Sequence, residues 1–511
     1  MSRQQRLTLI ATILGSTVVF LDSTVVNVAL PAIADGLDAG LAGQQWVVEA
    51  YMLTLVSLLL VGGSLGDQFG RRRVFVIGLI AFGATSILCA VAPTVELLIA
   101  ARALQGIAGA LLVPGSLAIV AATFEGAERG KAVGTWTAWT GIATVLGPAG
   151  GGILVEALSW RAIFWVNIPL IAATVALTMH SVRESRDMEA FRGIDWLGIV
   201  LSAAGLAGPV FALIEQPTHG WGDPVVWAPM IAGVVCFALF ILWEARARHP
   251  MLELSLFRIR NFRVANLTTL SAYAGLIGGL FFVSLFLQQV AGYSPIEAGL
   301  ATTPVSLILF FLSPRWGRLA SGTGPRLPMC AGPIVGGIGL IMLLRVGADP
   351  SYVADVLPAI VVFGLGLSAT VAPLTATVLD SVEERHVGIA SGVNNGVARV
   401  AGLLAIAVLG AIISAKFGAS VGGDAGSNPL TASEPDASTE AFHLGIVIAG
   451  ILMIAGGIFA GIGIENPRRK LEAIPSRGSA QAGECGHGAD ADCADRKQPP
   501  RGDDLPEPEP A

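Results

Sequence analysis

Charged side chains are scarce in this chain of 511 residues. They make up only 13% of it, and the mean hydropathy is +0.70. A soluble protein of ordinary composition carries about 25% charged residues. The few charges are gathered in short clusters between long apolar runs. This pattern excludes a soluble globular domain and indicates a polytopic membrane protein.

Histidine and cysteine are also rare, and the motifs of common enzymes are missing. The six histidines are scattered, and the five cysteines form no disulfide framework; we interpret Cys485 and Cys493 as free thiols rather than as a metal site. Residues 126–131 lack the spacing and the Ser or Thr of a phosphate-binding loop. Arginines occur at the edges of apolar runs, where they set membrane topology. The sequence therefore predicts no enzyme, no metal, no cofactor and no nucleic-acid partner.

The apolar runs predict an all-α polytopic membrane protein with about fourteen transmembrane helices, each near the ~20 residues that a bilayer requires. The boundaries follow the apolar runs and the charged residues between them. The predicted helices lie near residues 8–32, 45–64, 74–93, 97–122, 132–157, 162–182, 194–215, 225–243, 264–290, 297–316, 327–346, 353–376, 388–415 and 442–464.

The basic residues predict how these helices are oriented. If the N-terminus lies inside, the inner loops hold most of the arginines, and the outer loops hold only Arg161, Arg345 and Lys416. This asymmetry predicts a multi-pass protein of the inner (plasma) membrane with both termini in the cytoplasm. The polar outer loop at residues 417–441 and the tail from Asn466 onward are expected to be poorly ordered.

A short charged island interrupts the apolar runs at residues 63–73. Its site candidates are Gly63, Asp67, Gly70, Arg71 and Arg72. Glycines permit a sharp turn between helices, and the charges exclude the island from the hydrocarbon, so we expect a water-facing turn. A degraded copy at residues 317–326 aligns Gly324 with Gly70 and Arg326 with Arg72, and it carries Ser321 in place of Asp67. Internal repeats of this kind are typical of secondary transporters.

Three ionisable residues lie inside predicted spans, where each costs free energy and usually has a use. They are Asp22 in the first span, Glu49 in the second and Arg102 in the fourth. A helical rise of about 1.5 Å per residue places all three in one outer layer of the bilayer. Two carboxyl groups near an arginine can bind and release a proton. The alternatives are a structural ion pair of Asp22 with Arg102, and a Glu49 that reaches outer water.

Glycines crowd the fifth predicted span over residues 141–152. Gly141 and Gly147 flank its apolar middle, Pro148 interrupts the backbone hydrogen bonds, and Gly151 and Gly152 follow. A kinked helix lined with glycine suits a moving interface between two bundles. The alternative is ordinary packing of small residues.

Asn395 and Arg399 are two further polar residues near mid-membrane, in the thirteenth predicted span. Arg399 has no acidic residue at the same depth in a neighbouring run. An unpaired intramembrane arginine either faces a water-filled cavity or has a structural role. The sequence leaves both open.

These motifs together resemble the major facilitator superfamily. Residues 63–73 resemble its signature loop, residues 102–106 its fourth-helix motif implicated in proton transfer, and residues 141–152 the antiporter motif of its exporters. Residues 22–31 are similar to the first-helix motif of drug:proton antiporters, and residues 160–169 to the sixth-helix signature of the 14-spanner branch, the EmrB/QacA type. The resemblance covers residues 7–465. The chain departs from the family's pattern at Gln68, where a basic residue is frequent, and at Glu49, where a neutral one is common.

The resemblance implies a division of the chain and a mechanism. The division is a six-helix bundle at 1–182, an inserted two-helix region at 183–263, a second six-helix bundle at 264–465 and a disordered cytoplasmic tail at 466–511. The implied mechanism is alternating access, in which cargo binds at mid-membrane and protons drive export. The residues themselves predict Asp22, Glu49 and Arg102 as the group that couples protons to cargo, and the turn around Asp67 as a gate. The predicted function is proton-coupled efflux of small hydrophobic compounds, cationic ones included, by a monomer in the lipid bilayer. A dedicated exporter of one metabolite, such as an antibiotic, siderophore or lipid, is the main alternative, and a non-transporting membrane sensor is a third.

Overall fold

The structure is a computed structural model that describes residues 1–124, 126–186, 195–247, 252–383, 387–421 and 429–466. Every regular element in these ranges is helical. Residues Met1–Asn466 form one compact unit. The predicted tail, with Cys485 and Cys493, lies outside the described residues from position 467 onward.

The first half of the chain forms helices whose ends follow local sequence signals. The Thr94 hydroxyl, for example, accepts the backbone N–H of Leu97 and caps the fourth helix. The sixth predicted span is broken at Val166 into a short and a longer piece. The helices are α1 (Arg3–Leu37), α2 (Leu41–Phe69), α3 (Arg71–Val91), α4 (Val95–Thr123), α5 (Gly126–Ala157), α6 (Ala162–Trp165) and α7 (Asn167–Ser181).

Two central helices and the second half follow. The central pair is α8 (Trp196–His219) and α9 (Pro224–Glu244). The second half consists of α10 (Arg260–Gln289), α11 (Pro295–Thr323), α12 (Arg326–Met342), α13 (Leu357–Asp380), α14 (Val387–Val421) and α15 (Pro435–Gly463). The predicted outer loop 417–441 is shorter than expected, because α14 and α15 extend into it from both sides.

Twelve helical segments in the described ranges are long and apolar enough to cross a membrane. The apolar runs predict fourteen such segments. The two remaining predictions, 45–64 and 132–157, fall within α2 and α5, which are 29 and 32 residues long but are not among the twelve. The observed number of candidate spans is therefore twelve.

The charged island is helical over most of its length. Helix α2 runs through residues 63–69, so the predicted turn is confined to Gly70, after which α3 begins at once. Gly70 has a φ of 108°, and Gly324 at the aligned position between α11 and α12 has a φ of 96°. Both conformations favour a residue without Cβ. The repeat inferred from the sequence is thus present in the backbone.

The helices have their ends at two faces of the molecule. The terminal face holds the start of α1, where Gln4 Nε2 donates to Ser181 O at the end of α7 at 3.2 Å. It also holds the start of α10, where Arg260 pairs with Glu465 just after α15. The opposite ends of α1 and α10 form the distal face.

The two halves contact each other near the distal face. Gln45 Nε2 on α2 donates to Ile406 O on α14 at 2.8 Å, and Gln289 Nε2 donates to Gln44 Oε1 at 3.1 Å. The largest hydrophobic cluster likewise combines residues of both halves, such as Leu30 and Phe286. The distal end of the interface is therefore closed.

Candidate functional site

Asp22 and Arg102 form an ion pair inside the first half of the chain. Arg102 Nη1 on α4 donates to Asp22 Oδ2 on α1 at 2.5 Å, and each side chain is only 1% exposed. The structure thus brings together two of the three ionisable residues that the sequence places in one layer.

Amide and hydroxyl groups complete the surroundings of the Asp22 carboxylate. Oδ1 accepts Gln105 Nε2 at 3.2 Å and Asn167 Nδ2 at 3.0 Å. Ser86 Oγ accepts a hydrogen bond from each of these amides, at 2.8 and 3.2 Å. Gln105 Oε1 accepts Arg102 Nη1 at 2.6 Å. Both oxygens of the Asp22 side chain therefore accept hydrogen bonds, one of them from the guanidinium of Arg102.

The Arg102 guanidinium is also held by α2. Its Nε donates to Val47 O at 3.1 Å, and its Cζ lies 4.2 Å from the centroid of the Tyr51 ring. The network therefore ties α1, α2, α3, α4 and α7 together around two buried charged residues. The ion pair is therefore shielded from solvent in this conformation.

Glu49 does not join this network. It is 0% exposed, and neither carboxyl oxygen has a hydrogen-bond partner among the described residues. Gln45, one turn earlier on α2, bonds to Ile406 on α14. Glu49 therefore lies on the surface of α2 that faces α14, because residues four apart share a helix face. In this conformation it reaches neither the ion pair nor outer water.

The glycines of α5 pack directly against α1. A Cβ on Gly147 would lie 2.0 Å from Thr24 Oγ1, and one on Gly151 would lie 2.9 Å from Val25 Cγ1. Both contacts are too short for any larger residue. Thr24 and Val25 lie next to Asp22 in α1, so the predicted antiporter motif supports the helix that carries the ion pair.

The face of α5 that carries Gly152 contacts the second half of the chain. A Cβ on Gly152 would lie 2.4 Å from Pro295 O and 2.8 Å from Ile296 Cα. A Cβ on Gly299 of α11 would lie 2.3 Å from Pro148 O. The backbones of α5 and α11 therefore touch here. Gly141 belongs to α5, but nothing is described beyond its helical backbone.

The charged island is anchored by a residue that the sequence did not single out. The Glu184 carboxylate accepts the backbone N–H groups of Arg72 and Arg73 at 3.1 and 3.2 Å, which caps the start of α3. Arg71 N donates to Ser185 O at 3.0 Å. Gly70 is required beside it, since a Cβ there would lie 2.7 Å from the same carboxylate.

Gly63 and Asp67 are the two other site candidates of the island. A Cβ on Gly63 would meet Pro114 of α4 at 3.6 Å, an ordinary van der Waals distance. Asp67 belongs to the last turns of α2, and its side chain lies outside the described residues.

The second half repeats this arrangement in detail. Asn466 Oδ1 accepts the backbone N–H of Arg326 at 3.0 Å and caps α12 as Glu184 caps α3. The Arg326 guanidinium donates to Gly461 O of α15 at 2.6 Å, as that of Arg72 donates to Met179 O of α7 at 3.2 Å. The alignment of Arg72 with Arg326 is therefore confirmed by equivalent contacts.

Asn395 and Arg399 lie one turn apart on α14. Asn395 is exposed and donates to Ser391 O at 3.0 Å. The Arg399 guanidinium lies 5.8 Å from the Phe20 ring of α1, and its Nη1 is 3.8 Å from Met52 Sδ of α2. Arg399 therefore points from the second half toward the first.

A cavity of about 690 Å³ lies between the central helix pair and the two halves. Its walls are almost entirely apolar, with residues such as Leu206, Phe240 and Val400. Ser57 also lines it, and the buried Ser57 hydroxyl has no partner in the described part of the chain. The cavity can accommodate a hydrophobic compound.

Sequence reasoning missed several residues for which a signal existed. Gln105 follows Arg102 by three positions, which places both on one helix face. Asn167 is a polar residue within an apolar run, two residues before Pro169. Glu184 lies among basic residues after the sixth predicted span, where a carboxylate can cap a helix. Ser86 carries no comparable signal.

Comparison with known proteins agrees with this architecture. The model of the Major Facilitator Superfamily matches residues 12–406. The chain is 35% identical over 473 residues to the multidrug resistance protein Stp of Mycobacterium tuberculosis, covering 92% of this chain and 86% of that protein. It is 33% identical to the tetracenomycin C resistance and export protein of Streptomyces glaucescens, covering 80% and 76% of the two chains. It is also 33% identical to the multidrug efflux pump LfrA of Mycolicibacterium smegmatis, covering 80% and 81%.

Solved structures share the fold. A bacterial homologue of the human lysosomal transporter Spinster, in an inward-facing and unoccupied conformation, matches with a TM-score of 0.65. The match covers 90% of this chain and 97% of that one at 15% identity. An auto-inhibited peptide transporter of the POT family also matches with a TM-score of 0.65, at 12% identity and 92% and 99% coverage.

Proposed function

Because this chain belongs to the major facilitator superfamily, and is thus a multi-pass membrane transporter and not an enzyme, we propose that it is a proton-coupled drug efflux pump. The names of its relatives support multidrug and antibiotic efflux. The observation that carries the coupling is the buried ion pair of Asp22 with Arg102. Small hydrophobic compounds are the proposed substrates, and the apolar cavity beside α8 and α9 supports that class.

The network suggests how proton binding moves the protein. Neutralising Asp22 would leave Arg102 buried without its counter-charge, which is costly in a low-dielectric interior. The helices that hold the network would then rearrange until Arg102 regained a partner or water. Asp22 lies beside the residues of α1 that pack on Gly147 and Gly151. A shift of α1 would therefore reach α5 and its contact with α11. Glu49 is proposed as a second protonation site, which water reaches when α2 and α14 part.

We also propose a membrane topology for this chain and a branch of the superfamily to which it belongs. Counting α2 and α5 as spans brings the total to fourteen, which agrees with the sixth-helix signature of the EmrB/QacA type. We assign the terminal face to the cytoplasm because its loops hold most of the arginines. The assignment makes both termini cytoplasmic in the plasma membrane. We also propose the bundle division 1–182, 183–263 and 264–465 that the family resemblance implies, and we take the transporter to be a monomer.

In alternating access, a closed distal interface corresponds to the state open to the cytoplasm. The close approach of α5 and α11 supports a role for Gly152 in closing the outer side. The capped start of α3 supports a gating role for the turn at Gly70 and the arginines after it. Asp67 is proposed to belong to this gate.

Export of a single metabolite is the second candidate. It is favoured by the similarity to the tetracenomycin C resistance and export protein. The two candidates differ in breadth, because a dedicated exporter would transport one compound and its close analogues. A panel of chemically unrelated drugs in one transport assay separates them.

Proton coupling is tested by efflux in everted membrane vesicles with the fluorescent compound ethidium. We expect accumulation to collapse when an uncoupler dissipates the proton gradient. The Asp22→Asn variant should lose uphill transport. Asp35→Asn is the matched control, because Asp35 lies on the same helix but is exposed. Transport that survives the uncoupler and requires sodium would refute the coupling ion, and equal loss in both variants would refute the role of Asp22.

A further inference from the structure

Arg399 is a charge between the two halves that the proposed proton-coupling mechanism does not use. It lies on α14, which begins at Val387, so the helical rise places it about 18 Å from the terminal face. The side chain is only partly exposed, and no acidic side chain in the described ranges forms an ion pair with it. Its neighbours across the interface are the sulfur of Met52 and the ring of Phe20. Neither can neutralise a guanidinium.

The other intramembrane charges near the interface do not balance Arg399. Both carboxylate oxygens of Asp22 already accept hydrogen bonds, from Arg102, Gln105 and Asn167. Glu49 is buried, and neither of its carboxyl oxygens has a hydrogen-bond partner among the described residues. Among the described residues, Arg399 is therefore a positive charge between the halves that has no acidic ion-pair partner. Such a charge is costly to keep unless a counter-ion or water approaches it.

The surroundings of Arg399 indicate what kind of counter-ion fits. Phe20 meets the Trp136 ring edge-on, with centroids 6.5 Å apart. Phe20 and Met52 thus form an apolar wall opposite the guanidinium, and the Trp136 ring packs against Phe20. Asn395, one turn nearer the terminal face, is exposed and offers an amide on the same face of α14. An anionic group attached to an aromatic or aliphatic body would match this combination.

From these observations we infer that Arg399 binds an acidic group of the cargo, so that hydrophobic monoanions are a substrate class of this transporter. The carboxylate would pair with the guanidinium, and the apolar body would lie against Phe20 and Met52. This inference rests on the proposed efflux function and adds the charge of the cargo. It differs from the cationic cargo that the sequence suggested, because Asp22 is occupied by Arg102.

Three probes with the same naphthyl body and different charge test the inference. They are 1-naphthaleneacetic acid, its neutral amide 1-naphthaleneacetamide, and the cation 2-(1-naphthyl)ethylamine. Equilibrium binding to the full-length protein in nanodiscs is measured for each, and proton-driven transport is measured in proteoliposomes. We expect the acid to bind at least about 10-fold more tightly than the amide, since a hydrogen bond to a charged partner is stronger than a neutral one.

Substitutions of Arg399 then distinguish a role in binding the acidic group from a role in holding the structure together. Arg399→Gln should remove the preference for the acid and leave binding of the amide unchanged. Arg399→Lys should retain part of the preference, because the charge remains but the planar guanidinium does not. Arg345→Gln is the control, since Arg345 is an exposed arginine that follows α12. Binding of the amide also reports that each variant is folded.

Clear outcomes overturn the inference. Equal binding of acid and amide by the native protein, binding of none of the three probes, or an equal loss of both ligands in Arg399→Gln would each do so. A transporter that still exports ethidium under a proton gradient in any of these cases keeps the proposed function. Loss of uncoupler-sensitive efflux in the native protein would instead remove the proposed function, and this inference with it.

Discussion

Replacing Gly152 by alanine should force the two halves apart at the distal face. The added Cβ would lie 2.4 Å from Pro295 O and 2.8 Å from Ile296 Cα on α11. Both neighbours are backbone atoms, which cannot rotate away as a side chain does. The closed distal interface is therefore the conformation that the substitution penalises.

The size of the effect follows from the crowding. Forcing a methyl group into a closely packed contact costs about 1–3 kcal/mol. If the cost falls only on the closed distal state, the equilibrium moves about 5- to 150-fold toward the state with the distal side open. Alanine also stabilises a helix by about 1 kcal/mol relative to glycine. Gly150→Ala controls for that gain, because nothing lies within 4 Å of a Cβ at Gly150.

The population of the two states can be measured with spin labels across the distal face. Leu158, just after α5, and Val353, just before α13, are both strongly exposed, at 73% and 69%. Labelled cysteines at these positions, in a background without native cysteines, should show longer distances in Gly152→Ala than in Gly150→Ala. Efflux should fall only in the former. Identical distance distributions in the two variants would show that the α5–α11 contact does not control closure.

Further predictions concern stability. Glu49→Gln should leave the thermal midpoint of the purified protein nearly unchanged, because its carboxyl group has no partner in the described structure to lose; a large drop would reveal one. Asp22→Asn should lower the midpoint, since breaking a buried ion pair costs about 3–5 kcal/mol; an unchanged midpoint would contradict the network. Gly70→Ala should destabilise the protein through its positive φ and its contact with a carboxylate, whereas Gly66→Ala, with only an ordinary contact at 4.0 Å, should not. The same change at Gly324 should cost about as much as at Gly70 if the repeat is energetically real, and a clear difference between them would argue against it.

The positions of the helices and of the repeat could be predicted from the sequence. Long apolar runs have few alternatives to a helix in a membrane, because every backbone polar group must be satisfied within the segment. The alignment of Gly70 with Gly324 and of Arg72 with Arg326 was also recoverable, because tight turns and helix starts require particular residues locally. The length of the turn could not be predicted, because α2 continues through the charged island.

The candidate site was only partly predictable. Asp22 and Arg102 stood out because an ionisable residue in an apolar run is rare. Their shared depth follows from helix geometry, and the structure brings the two together. Glu49 has a similar depth, but it faces α14 and forms no hydrogen bond with the Asp22–Arg102 pair. The depth of a side chain in the membrane follows from its position along the helix. The direction in which it points around the helix axis depends on how neighbouring helices pack.

The sequence by itself determined where most of the apolar helices lie and which ionisable residues they contain. The tertiary structure alone decided that Asn167 completes the Asp22 network, that Glu184 caps α3, and that Gly152 meets α11. The physical reason lies in the solvent. In water, an apolar stripe shows which face of a helix is buried, but lipid is as apolar as the protein interior. The rotation of each helix about its axis is then set by packing and by a few polar contacts between distant parts of the chain.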